Sequence, residues 1–168
     1  MLDRKFFRAD AIMLAQALVG KIIVRRFPDG SEKHLRITET EAYCGTEDTA
    51  CHAHKGKTKR AEILWRDGGT IYVYLCYGMH EMLNIVSGTD GDPQAVLIRC
   101  CEGFEGPGKL TKELGIDRSL NGLDILSCDG LSIEDDETEV NIIQLPRVGI
   151  AYADPADREA LWRFKLQK

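Results

Sequence analysis

The spacing of apolar and polar positions changes from helical to strand-like near the start of the chain. Apolar residues over Ala11–Leu18 recur along one helix face, with Asp10 where an N-cap is expected and Gly20 where a helix commonly ends. Residues 21–27 (KIIVRRF) then predict a strand, which a Pro-Asp-Gly turn follows. Residues 34–41 (HLRITETE) alternate in polarity and predict a returning strand. A helix followed by a β-hairpin is therefore expected.

The rest of the chain is predicted to be mostly short strands. The strongest signal is residues 70–77 (TIYVYLCY), while residues 95–101 (AVLIRCC) have the composition of a buried strand. Further predicted elements are short strands at 123–126, 131–133 and 140–145, a turn with a short helix at 106–116, and a short helix at 155–164. Residues 41–60 are polar and rich in Gly, His and Lys, which indicates a long functional loop.

Together these elements predict a mixed α/β (α+β) single domain over residues 1–168, with a mostly antiparallel, curved β-sheet core and peripheral helices. A length of 168 residues suits one domain, and 43% hydrophobic residues can form a substantial core. No apolar run approaches the ~20 residues needed to span a bilayer, and charges interrupt the N-terminal segment where a signal peptide would be apolar. A cytoplasmic protein without a disulfide framework is expected.

The distribution of charge changes what the net charge implies. A net charge of −5 argues mildly against a nucleic-acid partner, because phosphate binding needs cations. However, acidic residues concentrate at 134–139 (EDDETE) and basic residues at 55–60 (KGKTKR). A segregated pattern can still present a positive face to DNA. The alternative, two solvated loops without such a role, is equally compatible with the sequence.

Glu41, Tyr43 and His52 form the first candidate site. A carboxylate can activate water, and an imidazole can exchange hydrogen bonds near neutral pH. Taken alone, a Glu at the end of a strand and a His in a loop are more often without catalytic function. These residues therefore become informative only in combination with other segments.

The tyrosine-rich strand and its neighbours form the second candidate site. Tyr72 and Tyr74 share one strand face, and Tyr77 stands at the end of the run beside Gly78. Aromatic surfaces commonly stack with bases, although tyrosines are also frequent in ordinary sheets. Asn84 and Arg99 each interrupt an apolar strand, so each needs a polar partner if buried. A site role and a local structural role are equally compatible with both.

A metal site is the weaker interpretation of Cys44, Cys51, His52 and His54. These side chains include soft ligands, but they lack the usual paired spacing of zinc sites. We therefore expect no metal and no cofactor.

The ordered segments ETEAYCGTEDTACH, KTKR, TIYVYLCYGMHEMLNIVSG, AVLIRC and GPGKLTKELGI together resemble the alkyladenine (3-methyladenine) DNA glycosylase family. The resemblance covers nearly the whole chain. It implies a base-excision-repair enzyme that flips a damaged purine from duplex DNA and hydrolyses the bond to its sugar. It also implies that no cofactor is used, and that the partner is double-stranded DNA with damaged purines. We expect a monomer that does not bind membranes.

The resemblance also implies roles for individual residues. Glu41 matches the general base, and Tyr77 matches the wedge that fills the gap in the duplex. Base-pocket roles fall to Tyr43, His52, Tyr74, Asn84 and Arg99, with Asn84 disfavouring the guanine amino group, whereas Tyr72 is assigned to packing. The candidates for DNA-backbone contacts are Lys57, Lys59, Arg60 and Lys109. No Lys takes the position of Glu41, so a Schiff base and strand cleavage are not indicated.

Two other functions remain open at this point: a non-catalytic lesion-binding protein, and an RNA-modifying or small-molecule enzyme on the same scaffold. The presence of Glu41 favours catalysis, and Tyr77 beside Gly78 favours a duplex substrate. Only six residues, CCEGFE, separate Arg99 from Gly106, where the family usually has a longer basic loop. Fewer cations there would make DNA binding weaker or more sensitive to salt.

Overall fold

A curled antiparallel β-sheet forms the centre of the computed structural model, which describes residues 2–168. The strands within that range are β1 (Ile22–Arg26), β2 (Glu32–Tyr43), β3 (Ile71–Cys76), β4 (His80–Ser87), β5 (Gln94–Cys101), β6 (Phe104–Glu105), β7 (Leu131–Glu134), β8 (Ile142–Leu145) and β9 (Arg163–Leu166). The α-helices are α1 (Arg4–Phe7), α2 (Ala11–Leu18), α3 (Pro107–Glu113) and α4 (Pro155–Glu159). The predicted fold class, a mixed α/β fold with peripheral helices, is confirmed.

Strand β2 organises the sheet because it pairs with different neighbours along its length. The strand order is β3-β4-β5-β2-β1-β7. The first part of β2 pairs with β1 through Arg36, whereas Glu39 to Glu41 pair with β9. The register opposite β5 shifts between Ile37 and Thr40. Such an irregularity bends a strand and increases its twist, so β2 can leave β1 and curl toward β9.

Helix α2 packs against this sheet. Its N-cap is Asp10, whose side chain accepts a hydrogen bond from the Met13 amide. Leu14 and Leu18 are fully buried together with Ile37 of β2 and Ile85 of β4. Helical spacing therefore places one apolar face against the sheet, as the sequence predicts. This packing fixes the middle of the strands whose ends carry the candidate site.

Two predicted elements are wrong. Residues 123–126 form a turn with an isolated bridge from Asp124 to Thr70, because the Asp124 side chain and carbonyl accept the amides of Leu126 and Ser127. The helix predicted over 155–164 ends at Glu159, and β9 begins at Arg163. The short helix α1 has no counterpart among the predicted elements. Residues 41–60 begin as the end of β2 and continue as a loop with one short 3₁₀ helix, His52–Lys55.

The structure adds two observations on the expected environment of the protein. No helix within residues 2–168 is long and apolar enough to cross a membrane. All six cysteines are free thiols.

Candidate active site

Glu41 lies in the last part of β2 and is fully buried. Its Oε2 accepts a hydrogen bond from the Tyr43 hydroxyl at 2.7 Å, and its Oε1 accepts one from the Val148 backbone amide at 3.0 Å. Tyr43 shares a face with Glu41 because alternate residues of a strand point the same way. Val148 comes from the segment between β8 and α4. The carboxylate is therefore held by one local donor and one donor that is distant in sequence.

Opposing effects act on the pKa of Glu41. Burial raises it above the ordinary range, and the hydrogen bonds from Tyr43 and Val148 and the charges of Arg99 and Arg147 lower it. The Arg99 Nη1 atom lies 3.5 Å from Glu41 Oε1, while Arg99 Nε lies 3.1 Å from Glu39 Oε1. Arg99 thus connects Glu39 and Glu41, two of the carboxylates of β2. Its charge and the two donors favour the ionised form of Glu41, which could accept a proton from water.

A pocket with aromatic walls adjoins Glu41. Of the predicted base-pocket residues, Tyr43, His52, Tyr74 and Asn84 line it, together with Tyr72 and Tyr152. The His52 and Tyr74 ring centroids are 4.6 Å apart, and those of Tyr72 and Tyr74 are 5.3 Å apart. Arg99 lines the adjoining cleft with Glu41 and Tyr77. The structure therefore brings the predicted pocket residues into one region of the molecule.

Tyr72 is buried, as the packing assignment predicts, but it also lines the pocket. Its hydroxyl is hydrogen-bonded to His52 Nδ1 at 2.8 Å. Burial raises the pKa of Tyr72 to about 12, so the hydroxyl keeps its proton at neutral pH. Burial also lowers the pKa of His52 to about 4, with smaller effects from the charges of Arg60 and Lys55. His52 is therefore neutral at pH 7, and its ring orientation is fixed by Tyr72.

This depressed pKa predicts a pH-dependent loss of stability. The unfolded chain binds a proton at His52 near pH 6.5, whereas the folded protein does so only near pH 4. The protonation of His52 therefore does not lower the free energy of unfolding above pH 6.5. As the pH decreases from 6.5 toward 4, proton binding by the unfolded chain lowers that free energy by about 2–3 kcal/mol. We expect His52→Phe to reduce the difference in unfolding free energy between pH 7 and pH 5, measured by chemical denaturation. His34→Phe, at an exposed position in β2, is the control for the substitution. An unchanged difference in His52→Phe would contradict the burial argument.

Tyr77 lies in the tight turn that joins β3 to β4. Its side chain is 92% exposed, which rules out a place in the core. Both Tyr77 (φ 51°) and Gly78 (φ 65°) have positive φ, and the Met79 amide donates to the Cys76 carbonyl at 3.1 Å. Positive φ at both central residues is typical of a type I′ hairpin turn, in which Asn, Asp or Gly is preferred at the position of Tyr77. An exposed tyrosine therefore occupies a position where its backbone is unfavourable.

The predicted DNA-backbone residues are all exposed. Lys57, Lys59 and Arg60 follow the 3₁₀ helix of the loop, and the Arg60 guanidinium lies 5.7 Å from the centroid of the Tyr74 ring. Lys109 is in α3, whose residue Gly108 packs against His80 of the β3–β4 hairpin. The basic segment 55–60 thus borders the pocket.

The acidic segment 134–139 follows β7, at the opposite end of the strand order from β3. There Asp135 pairs with Lys21 and Asp136 with Arg36. The two charge clusters are therefore on different parts of the molecule.

Sequence reasoning missed several groups at this site. Arg147 and Asp48 form a buried ion pair next to Tyr43, and the Val148 amide bonds to Glu41. Tyr152 stands at the pocket mouth, where its hydroxyl donates to the Ala50 carbonyl at 3.0 Å. The closing segment PRVGI carries part of the family resemblance. Its local pattern gives no indication that it lies beside Glu41.

Two further features bear on the expectations from sequence. Within residues 2–168, no three His, Cys, Asp or Glu side chains are grouped so that they could hold a metal ion. The six residues between Arg99 and Gly106 form a tight β5–β6 hairpin, in which Cys101 pairs with Phe104. These six residues include no Lys or Arg.

Comparisons with known proteins point to one family. The family model described as "Methylpurine-DNA glycosylase (MPG)" matches residues 5–106 and 102–168. A protein of Borreliella burgdorferi (strain ZS7) named "Putative 3-methyladenine DNA glycosylase" is 41% identical over 179 residues, covering 99% of this chain and 96% of the relative. Relatives with the same name occur in Natranaerobius thermophilus (38% identity; 99% of this chain and 95% of the relative) and Methanocella arvoryzae (40% identity; 98% and 91%).

Proposed function

Because the chain belongs to the methylpurine-DNA glycosylase family, we propose that it excises alkylated or otherwise damaged purines from duplex DNA and leaves an abasic site. The single observation that carries this proposal is the buried Glu41, held by Tyr43 and Val148 beside an aromatic pocket. A protein that only binds lesions has no need of an ionisable carboxylate whose burial must be offset by two hydrogen bonds.

The reaction begins with extrusion of the damaged nucleotide, because the bond to be broken is inaccessible inside a stacked duplex. Tyr77, exposed at the tip of the hairpin, enters the gap that the nucleotide leaves. Exposed Lys57, Lys59, Arg60 and Lys109 contact backbone phosphates. Such contacts fix the position of the protein on DNA without reading its sequence.

The pocket then receives the extruded purine between aromatic side chains. Tyr43, His52 and Tyr74 supply these faces, and aromatic faces attract cationic groups. Many alkylated purines carry a positive charge, so the pocket favours them over normal bases. The low pKa of His52 supports this selectivity, because a neutral imidazole does not repel a cationic base.

Hydrolysis follows at the anomeric carbon of the deoxyribose. Glu41 takes a proton from a water molecule as the water oxygen bonds to that carbon. The base departs with the electrons of the glycosidic bond. The negative charge of Glu41 also stabilises the oxocarbenium-like sugar of the transition state. No lysine takes the position of Glu41, so the reaction stops at the abasic site.

The direct test incubates the purified protein with duplexes that each contain one lesion: 3-methyladenine, 7-methylguanine, hypoxanthine or ethenoadenine. Hot alkali then cleaves the strand wherever a base has been lost. We expect cleavage at the lesion after alkali only, and none in an undamaged duplex. Tight binding to lesions without any excision would instead support a lesion-binding protein.

Asn84 is expected to limit excision of guanine lesions. It is buried in the pocket wall, and its Nδ2 donates to the carbonyls of Met82 and Tyr72 at 3.2 and 3.3 Å. The side chain therefore cannot easily move away from an exocyclic amino group, which adenine lacks at this position. We expect Asn84→Ser to raise the ratio of 7-methylguanine to hypoxanthine excision by about 10-fold, since small steric differences in a pocket give 10–200-fold discrimination.

The matched control is Asn121→Ser. Asn121 accepts the Val73 amide of β3 but does not line the pocket. An excision ratio that stays at the wild-type value in Asn84→Ser, or that rises equally in both variants, would show that Asn84 is not the filter.

A further inference from the structure

Arg147 is buried beside the candidate site, and both of its terminal nitrogens are hydrogen-bonded. Its Nη1 donates to Asp48 Oδ2 at 2.6 Å and to the Ala42 carbonyl at 3.0 Å. Its Nη2 donates to Asp48 Oδ1 at 2.9 Å and to the Asp157 carbonyl at 3.3 Å. The side chains of Arg147 and Asp48 are 0% and 1% exposed. A bidentate, fully buried ion pair of this kind fixes the plane of the guanidinium.

Two aromatic rings lie close to this guanidinium. The Arg147 Cζ atom lies 4.9 Å from the centroid of the Tyr43 ring and 4.9 Å from that of the Trp162 ring. Lysine cannot reproduce this arrangement, because an ammonium group is neither planar nor able to form the paired hydrogen bonds. The orientation of the Tyr43 ring therefore depends on an arginine at this position.

Both hydrogen bonds that Glu41 accepts come from groups next to Arg147. One donor is the hydroxyl of Tyr43, whose ring stacks on the guanidinium, and the other is the amide of Val148, the next residue in the chain. We infer that Arg147, anchored by Asp48, is a positioning residue that holds both donors on Glu41 and so orients the carboxylate toward water. This inference rests on the proposed function of Glu41.

Asp48 extends the same arrangement to the pocket. It accepts the amides of Cys44 and Ala50 at 2.9 and 3.0 Å, in the loop that leads from β2 to His52. Ala50 itself lines the pocket. The ion pair thus joins the end of β2, the pocket loop and the segment that carries Val148.

Stability alone does not account for this pair. Replacing a buried ion pair with well-packed apolar residues is often neutral or stabilising. Here the pair is also geometrically specific, since it joins the end of β2, the pocket loop and the segment that carries Val148 next to Glu41. Such specificity is useful when a reacting group must be held in place, because a misplacement of about 1 Å can reduce a rate by about 10²-fold.

Other ionisable groups around Glu41 must be considered in any pH measurement. They come from each element packed against it. They are Glu39 and Tyr43 on β2, Tyr74 on β3, Arg99 on β5, Arg147 and Tyr152 in the segment between β8 and α4, and Arg163 on β9. Neither Arg147→Lys nor Asp48→Asn changes any of them except Arg147. Arg147→Lys keeps the positive charge that lowers the pKa of Glu41, and Asp48→Asn removes a negative charge, which by itself would lower that pKa further. An upward shift of the Glu41 pKa in these variants therefore reports on the donors.

The test compares Arg147→Lys and Asp48→Asn with wild type. Arg36→Lys is the control, since Arg36 pairs with Asp136 at the other end of β2. We expect kcat for excision to fall on the order of 10–100-fold in both variants, with binding to a duplex containing an uncleavable abasic analogue within about 3-fold of wild type. The acidic limb of the kcat–pH profile should move to higher pH by about one unit, because weaker donors favour the protonated carboxyl. Arg36→Lys should match wild type.

A second measurement separates this inference from the proposed function. The carboxyl of Glu41 is titrated by NMR in ¹³C-glutamate-labelled protein, with Glu41→Gln used to assign the signal. An upward shift of its pKa in Arg147→Lys or Asp48→Asn supports the inference whether or not the protein excises any base. An unchanged Glu41 pKa in folded variants overturns it. A loss of kcat that equals the loss of folded protein, with no change in the pH profile, also overturns it. A wild-type protein that excises none of the four lesions contradicts the proposed function instead.

Discussion

Glu41→Gln is expected to reduce base excision by about 10²–10⁴-fold, the usual cost of losing a general base, while binding to lesion DNA stays close to that of wild type. The amide cannot accept a proton, and it has no negative charge to stabilise the sugar in the transition state. The shape of the side chain is retained. The Val148 amide can still donate to the amide oxygen, so the pocket keeps its form.

Single-turnover kinetics on a duplex with one damaged purine measure the loss of excision, and a mobility-shift assay measures binding. Glu32→Gln, at the exposed start of the same strand, is the matched control and should excise at the wild-type rate. If Glu41→Gln retains excision within a few-fold of wild type, Glu41 does not activate the water. If both activity and binding are lost in a folded variant, the residue acts in binding instead.

The second large effect is expected at Tyr77. Replacing the wedge should slow excision from a paired duplex by about 10- to 100-fold, because a stacking step worth a few kcal/mol is no longer compensated. The defect should be smaller when the lesion is mismatched or single-stranded, since extrusion then costs less. Because the side chain is 92% exposed, the variant should remain as stable as wild type.

Tyr77→Asn is a sharper version of this experiment than Tyr77→Ala. Tyr77 has a φ of 51°, a conformation that asparagine adopts more readily than tyrosine. The Asn variant should therefore have an equal or higher melting temperature and yet excise poorly from paired duplexes. Met13→Ala removes another exposed apolar side chain, on α2, and is the control. An equal defect on paired and mismatched substrates would exclude the wedge, and a strongly destabilised Tyr77→Asn would exclude the argument from strain.

The sequence predicted those parts of the fold in which the local pattern decides the structure. Helix α2 has the predicted bounds, because Asp10 and the apolar spacing act locally. Residues 123–126 looked like a strand, but the Asp124 side chain satisfies a nearby amide and favours a turn. Strand β9 has only four residues and forms because β2 and β8 supply partners from elsewhere in the chain. No local signal distinguishes it from the end of a helix.

The candidate site also has parts that the local sequence pattern predicts and parts that it does not. The shared face of Glu41 and Tyr43, and that of Tyr72 and Tyr74, follow from strand periodicity. The roles of Asn84 and Tyr77 came only from the resemblance to a family, because their own residue types suit several environments. Arg147 could not be recognised, since 105 residues separate it from Ala42, whose carbonyl it binds.

The late position of β9 and the Val148 segment has a consequence for synthesis of the protein. Val148 follows Glu41 by 107 residues. At a ribosomal rate of 5–20 residues per second, about 5–20 s pass between the synthesis of the two residues. During that interval Glu41 lacks its distant donor, and Glu39 to Glu41 lack their β9 neighbours. A nascent chain at this stage contains β2 but lacks the late segments that contact it, so the candidate site is complete only when the last part of the sheet docks.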